Sequence, residues 1–121
     1  MTGLSLQVRE PAGERELGLP CAFGGSPADP LRIPGVEDVT VGVFERLDGA
    51  FGVRLIDGAP VAAITSSGRA RLNGRSLAIG DFHELVAGDV LSLGEALIVV
   101  DGAGPAIDVR HLQGNDTLPP L

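Results

Sequence analysis

Few side chains in this sequence keep the company that chemistry requires. Asp81-Phe82-His83-Glu84 sets an imidazole between two carboxylates, a grouping that can serve a general base or a metal ion. A metal site usually takes three or four ligands, and no cysteine pair or second histidine lies near His83 in the sequence, so this tetrapeptide is expected to be a polar turn before Gly88-Asp89. Ser66-Ser67-Gly68 offers two hydroxyls but lacks the G-x-S-x-G elbow, and no histidine and acid stand ready to activate either serine. Gly24-Gly25-Ser26-Pro27 is glycine-rich, yet no G-K-[ST] follows it, so it is not a nucleotide-phosphate loop. The single cysteine, Cys21, sits between Pro20 and Ala22-Phe23 and is expected to be a small buried hydrophobe. Thr117-Leu118-Pro119-Pro120 has the composition of an exposed linker, with Thr117 as a candidate phosphoacceptor. Nothing here assembles a catalytic set. The expectation is a protein without enzymatic activity, cofactor or metal.

Composition narrows the partners. The chain has 121 residues, the size of one domain, and a net charge of −7. All nine basic residues are arginine. Non-specific nucleic-acid binding needs clustered cations to displace counterions, so nucleic acid is excluded as the expected partner. An acidic chain also repels an anionic phosphopeptide at long range. Trp and Tyr are absent and Phe numbers four, which disfavours aromatic stacking platforms. Apolar residues make up 44% of the chain, but no uncharged run approaches the ~20 residues of a bilayer span. The N-terminus lacks the basic and apolar regions of a signal peptide. A lone cysteine suits a reducing compartment, and the expected location is the cytoplasm of a bacterium.

The elements that must position these residues alternate with period two. Leu4, Leu6 and Val8 alternate with Ser5, Gln7 and Arg9, and further short strands are expected at 16–19, 21–24, 31–33, 39–46, 51–56, 61–64, 70–72, 90–93 and 96–101. Glycine and proline punctuate the gaps, and Asp48-Gly49 and Asn73-Gly74 suit tight hairpins because both residue types tolerate positive φ. Some ten short strands at 8–12 residue spacing predict an all-β, two-sheet antiparallel sandwich of about 10–11 strands. The sandwich is expected over residues 1–101. Residues 106–112 are a candidate last strand, and Gly114 to Leu121 has the composition of a stiff linker leading to a further region.

Three stretches resemble the forkhead-associated (FHA) domain, a β-sandwich of the SMAD/FHA type that captures phosphothreonine peptides. Phe23-Gly24-Gly25-Ser26-Pro27-Ala28-Asp29-Pro30-Leu31-Arg32-Ile33-Pro34 resembles its glycine-arginine loop and following strand. Leu72-Asn73-Gly74-Arg75-Ser76-Leu77 is similar to its asparagine-glycine hairpin, with Asn73 and Gly74 as the structural turn. Gly88-Asp89-Val90-Leu91-Ser92-Leu93-Gly94 resembles its glycine-aspartate strand entry. The resemblance covers about four fifths of the chain and implies the fold and a signalling or scaffold role.

It also implies phosphate ligands that this chain lacks. Gly25 stands where the family has an arginine, Asp38-Val39-Thr40-Val41 where it has a serine and histidine, and Ser66-Ser67-Gly68-Arg69-Ala70 where it has an asparagine. No arginine falls between Glu16 and Leu31, and the only histidines, His83 and His111, lie far downstream. Each hydrogen bond to a charged group contributes on the order of 1.5–3 kcal/mol, so losing two or three weakens phosphate binding roughly a thousandfold or more. A carboxylate at Asp38 would repel the phosphate outright. The expectation is a degenerate FHA-like module that binds another protein or domain without phosphate, through a loop surface at Gly25, Ser26, Asp38, Ser66, Ser67, Arg69 and Arg71. Two alternatives stay open. One is a phosphopeptide reader using rearranged arginines, Arg69 and Arg71 with Arg32 behind them. The other is the cytoplasmic FHA-like domain of a secretion-system inner-membrane ring protein, which resembles this chain in having shed the same ligands.

Overall fold

Alternating burial builds two facing sheets in this computed structural model, which describes residues 5–11, 13–33, 36, 38–101 and 105–111. Twelve strands and one helix appear among the described residues. They are β1 (Ser5–Glu10), β2 (Gly13–Gly18), β3 (Cys21–Gly24), β4 (Leu31–Arg32), β5 (Thr40–Leu47), β6 (Ala50–Leu55), α1 (Ala59–Ser66), β7 (Ala70–Leu72), β8 (Arg75–Ser76), β9 (Phe82–Glu84), β10 (Val90–Leu93), β11 (Ala96–Asp101) and β12 (Ala106–His111). One sheet runs β2-β1-β12-β11-β10-β7-β8 and the other β4-β3-β5-β6-β9.

The core lies between them. Leu6 and Val8 of β1, Ile98 and Val100 of β11 and Ile107 and Val109 of β12 bury alternate side chains from the larger sheet. Phe23, Phe44, Val53 and Leu55 meet them from the smaller one. The Phe23 and Phe44 rings lie 4.8 Å apart at 38°, and Phe44 stacks on Phe51 at 5.9 Å.

An all-β sandwich is what the alternation predicts. The sheets are mixed, however, where purely antiparallel ones were expected. β1 pairs with β12 in parallel, and β3 with β4. β1 and β12 are far apart in sequence and so are free of the hairpin geometry that forces consecutive strands antiparallel. β12 pairs on both sides, with β1 and β11, so the last described strand sits inside the larger sheet. The linker expected from Gly114 lies outside the described residues.

Two local expectations fail. Residues 61–64, expected as a strand, belong to helix α1, where Val61 and Ile64 turn the same face to the core. Pro sits in the first turn of that helix and Gly68, at φ +78°, just past its end. There Arg69 N–H bonds Ile64 O and Gly68 N–H bonds Thr65 O at 3.0 and 3.1 Å, a Schellman closure. Phe82-His83-Glu84, expected as a turn, is edge strand β9 on β6, where the Phe82 ring lies over Gly52, a position with no room for a side chain. Both glycine hairpins form as expected, with φ of +52° and +82° at Asp48-Gly49 and +52° and +83° at Asn73-Gly74.

Candidate functional site

The loop between β3 and β4 is closed around a carboxylate of its own. β3 ends at Gly24, where a Cβ would run into the carbonyl of Val39, stand 2.7 Å from Val41 N and 2.8 Å from Asp29 Oδ2. Glycine there lets the strand end press against the start of β5. Gly25 N–H then donates to Val39 O at 3.0 Å, and Ile33 N–H returns to Gly24 O at 2.7 Å. Inside this fold of chain, Ser26 N–H donates to Asp29 Oδ2 at 3.2 Å and Thr40 Oγ1 donates to Asp29 Oδ1 at 2.6 Å. Asp29 is 7% exposed, the one buried charged residue among those described. Ser26 Oγ accepts from Ala28 N–H at 3.2 Å. Arg32 Nη2 caps Gly25 O and Arg15 Nη1 caps Pro30 O, so both guanidinium groups hold loop carbonyls. Two donors of this loop region, the Ser26 amide and the Thr40 hydroxyl, are thus turned inward onto Asp29.

Sequence reasoning singled out Gly25 and Ser26 here and missed Asp29 and Thr40. The signal was the spacing Ser26-x-x-Asp29 in a proline-containing turn, since short polar side chains bond nearby backbone in such turns. Asp38 is exposed and adjoins this loop through Val39. Ile56 N–H donates to Val41 O at 2.9 Å, which holds the start of the β6–α1 connection at the same end of the smaller sheet. Residues 34, 35 and 37 of the β4–β5 loop lie outside the described ones.

A second cluster forms where α1 meets β7. Ser66 Oγ donates to Ala63 O at 3.3 Å and Ser67 Oγ to Ile64 O at 2.9 Å, so both hydroxyls are spent on the helix end. Ser67 Oγ also accepts from Arg69 Nε at 2.8 Å. Arg69 O accepts from Gly94 N–H at 2.9 Å, tying this corner to the β10–β11 turn. Arg71 points its guanidinium beside Gly68, where a Cβ would stand 2.9 Å from Nη2. Arg71 has no ion pair or side-chain hydrogen bond to any described residue. The candidate residues thus fall into two groups, Gly25, Ser26 and Asp38 at one corner and Ser66, Ser67, Arg69 and Arg71 at another.

Asn73 and Gly74 are structural. Asn73 Oδ1 accepts from Val90 N–H at 2.9 Å and Nδ2 donates to Asp89 Oδ1 at 3.0 Å, while Asp89 Oδ2 accepts from Val86 N–H at 2.9 Å. Two of the three stretches that resemble FHA sequences are therefore bolted together through these side chains. His83 Nε2 lies 3.3 Å from Ala78 O and borders an open groove of about 480 Å3 with Leu72, Arg75 and Leu77. Cys21 is fully buried, and burial pushes its thiol up to about 11. Among the described residues no group of three histidine, cysteine, aspartate or glutamate side chains gathers to hold a metal, and no helix is long and apolar enough to cross a membrane.

No family model, no curated protein and no solved structure matches this chain.

Proposed function

We propose that this chain is a non-catalytic protein-interaction module, an FHA-like sandwich that has given up phosphothreonine recognition. The observation that carries this reading is the seating of Asp29. Its carboxylate takes the Thr40 hydroxyl at 2.6 Å and the Ser26 amide at 3.2 Å, in the loop where the resemblance implies phosphate contacts. A buried carboxylate in that loop repels a phosphate brought near it and occupies two of the donors. Gly25 supplies no guanidinium, and Arg32 is engaged with a backbone carbonyl. The partner on this reading is another protein or another domain of the same polypeptide.

Titration with a phosphothreonine peptide library and its unphosphorylated twin tests this by calorimetry. Equal or undetectable binding of the two sets is expected. Micromolar binding that needs the phosphate overturns the proposal.

One observation favours a second reading. Arg71 lacks a described carboxylate partner, and a guanidinium of that kind can receive a phosphate from outside the family's usual loop. The same titration, repeated with Arg71→Ala, separates the two. Phosphate-dependent binding lost in the variant selects the rearranged reader.

A further inference from the structure

Resting on the interaction-module reading, the outer face of the seven-stranded sheet shows where such a partner would dock. Core burial of Ala70, Leu91, Leu93, Ala96, Ile98 and Val100 turns the residues between them outward. Register then sets Ser76, Arg71, Ser92, Leu97 and Arg110 side by side across five neighbouring strands, β8, β7, β10, β11 and β12. The next row places Val90, Val99, Asp108, Arg9 and Glu14 in line. Directly opposed residues on one face stand about 5 Å apart, so the Arg71 position is opposed by Ser76 on one side and Ser92 on the other, with Leu97 one strand further on and the guanidinium reaching toward Gly68.

The charges on this face are unevenly matched. Asp108 is held by Arg110 at 3.6 Å and Glu14 by Arg9 at 3.2 Å. Among the described residues Arg71 has no such acid, and Glu95 in the β10–β11 turn makes no described ion pair with it. Val90, Leu97 and Val99 are half-buried, an apolar strip on the same face as that cation. On a chain of net charge −7, a cation whose strand neighbours are serines and an aliphatic strip is complementary to a carboxylate with apolar neighbours.

We infer that the outer sheet face centred on Arg71, Ser76, Ser92 and Leu97 docks an acidic segment of a partner protein. The partner's carboxylate lies in the Arg71 fork and its aliphatic side chains cover Leu97, Val90 and Val99. The guanidinium fork suits a carboxylate bidentately, and the strip excludes water around the pair.

The test is selection of a displayed random-peptide library on the immobilised chain, with Arg71→Glu as the counter-selection target. Selected sequences are expected to be enriched in Asp or Glu beside Leu, Ile or Val. Their affinity should fall by about tenfold or more on Arg71→Ala, and their titration into the 15N-labelled chain should shift the amides of Arg71, Ser76, Ser92 and Leu97. Sequences without acidic enrichment, or ones that bind Arg71→Glu equally well, overturn the inference. Amide shifts confined to the 24–40 and 56–69 loops also overturn it, and leave the interaction-module reading intact. A phosphothreonine peptide bound at Arg71 far more tightly than its glutamate analogue overturns both. An unchanged amide spectrum away from β7 certifies that the variants fold.

Discussion

Replacing Asp29 by alanine isolates the contact on which the functional reading stands. The carboxylate accepts a short hydrogen bond from Thr40 Oγ1 at 2.6 Å and a longer one from Ser26 N–H at 3.2 Å, at 7% exposure. Hydrogen bonds to a charged group contribute about 1.5–3 kcal/mol, the short one at the top of that range and the long one at the bottom. Some of this is returned because the variant no longer buries a charge. The net expectation is a loss of about 3 kcal/mol, a large share of the 5–15 kcal/mol that holds a domain. Asp29→Asn keeps one acceptor oxygen and should lose about half as much. Urea denaturation at constant slope reads these values, and the double variant with Thr40→Val closes a cycle whose coupling should be about 1–2 kcal/mol. A loss within 0.5 kcal/mol for Asp29→Ala, or no coupling to Thr40, would show that the carboxylate is not seated. The loop donors would then be available to a phosphate and the proposed loss of recognition would lose its physical basis.

Two further outcomes rest on other parts of the fold. Asn73→Gly keeps the positive φ of the hairpin while removing the bridges to Asp89 and Val90, and should cost about 1–2 kcal/mol by urea denaturation; Asn73→Ala adds the strain of φ +52° and should cost roughly 1 kcal/mol more. The Cys21 thiol is raised to about 11, above its ordinary 9.0, because it is buried. The folded state keeps its proton longer than the unfolded chain, so this contribution is complete below pH 9 and is lost as pH climbs to 11, roughly 3 kcal/mol in all. With no lysine or tyrosine in the chain, few other groups titrate in that window. Denaturation midpoints should therefore fall between pH 9 and 11 in the native chain and stay level in Cys21→Val.

Local features of this protein were legible because they answer to local physics. Period-two alternation in Leu6-Gln7-Val8 encodes a half-buried strand, and Asn73-Gly74 encodes a turn whose backbone few other pairs tolerate. The short apolar stretch Val61-Ala62-Ala63-Ile64 was ambiguous, since four residues satisfy either period, and the flanking Pro60 and Gly68 were the unread evidence for a helix. Tertiary pairing decided the rest. That β12 slides between β1 and β11, making the sheets mixed, depends on distant chain ends meeting. Burial of Asp29 depends on Thr40 arriving from another strand to supply a donor. The row Ser76-Arg71-Ser92-Leu97 exists only through register, because four separate strands must align before those side chains become neighbours. Residue types along the chain set which faces are wet and where it turns; the company each polar group keeps is set by long-range pairing, which carries no local periodicity.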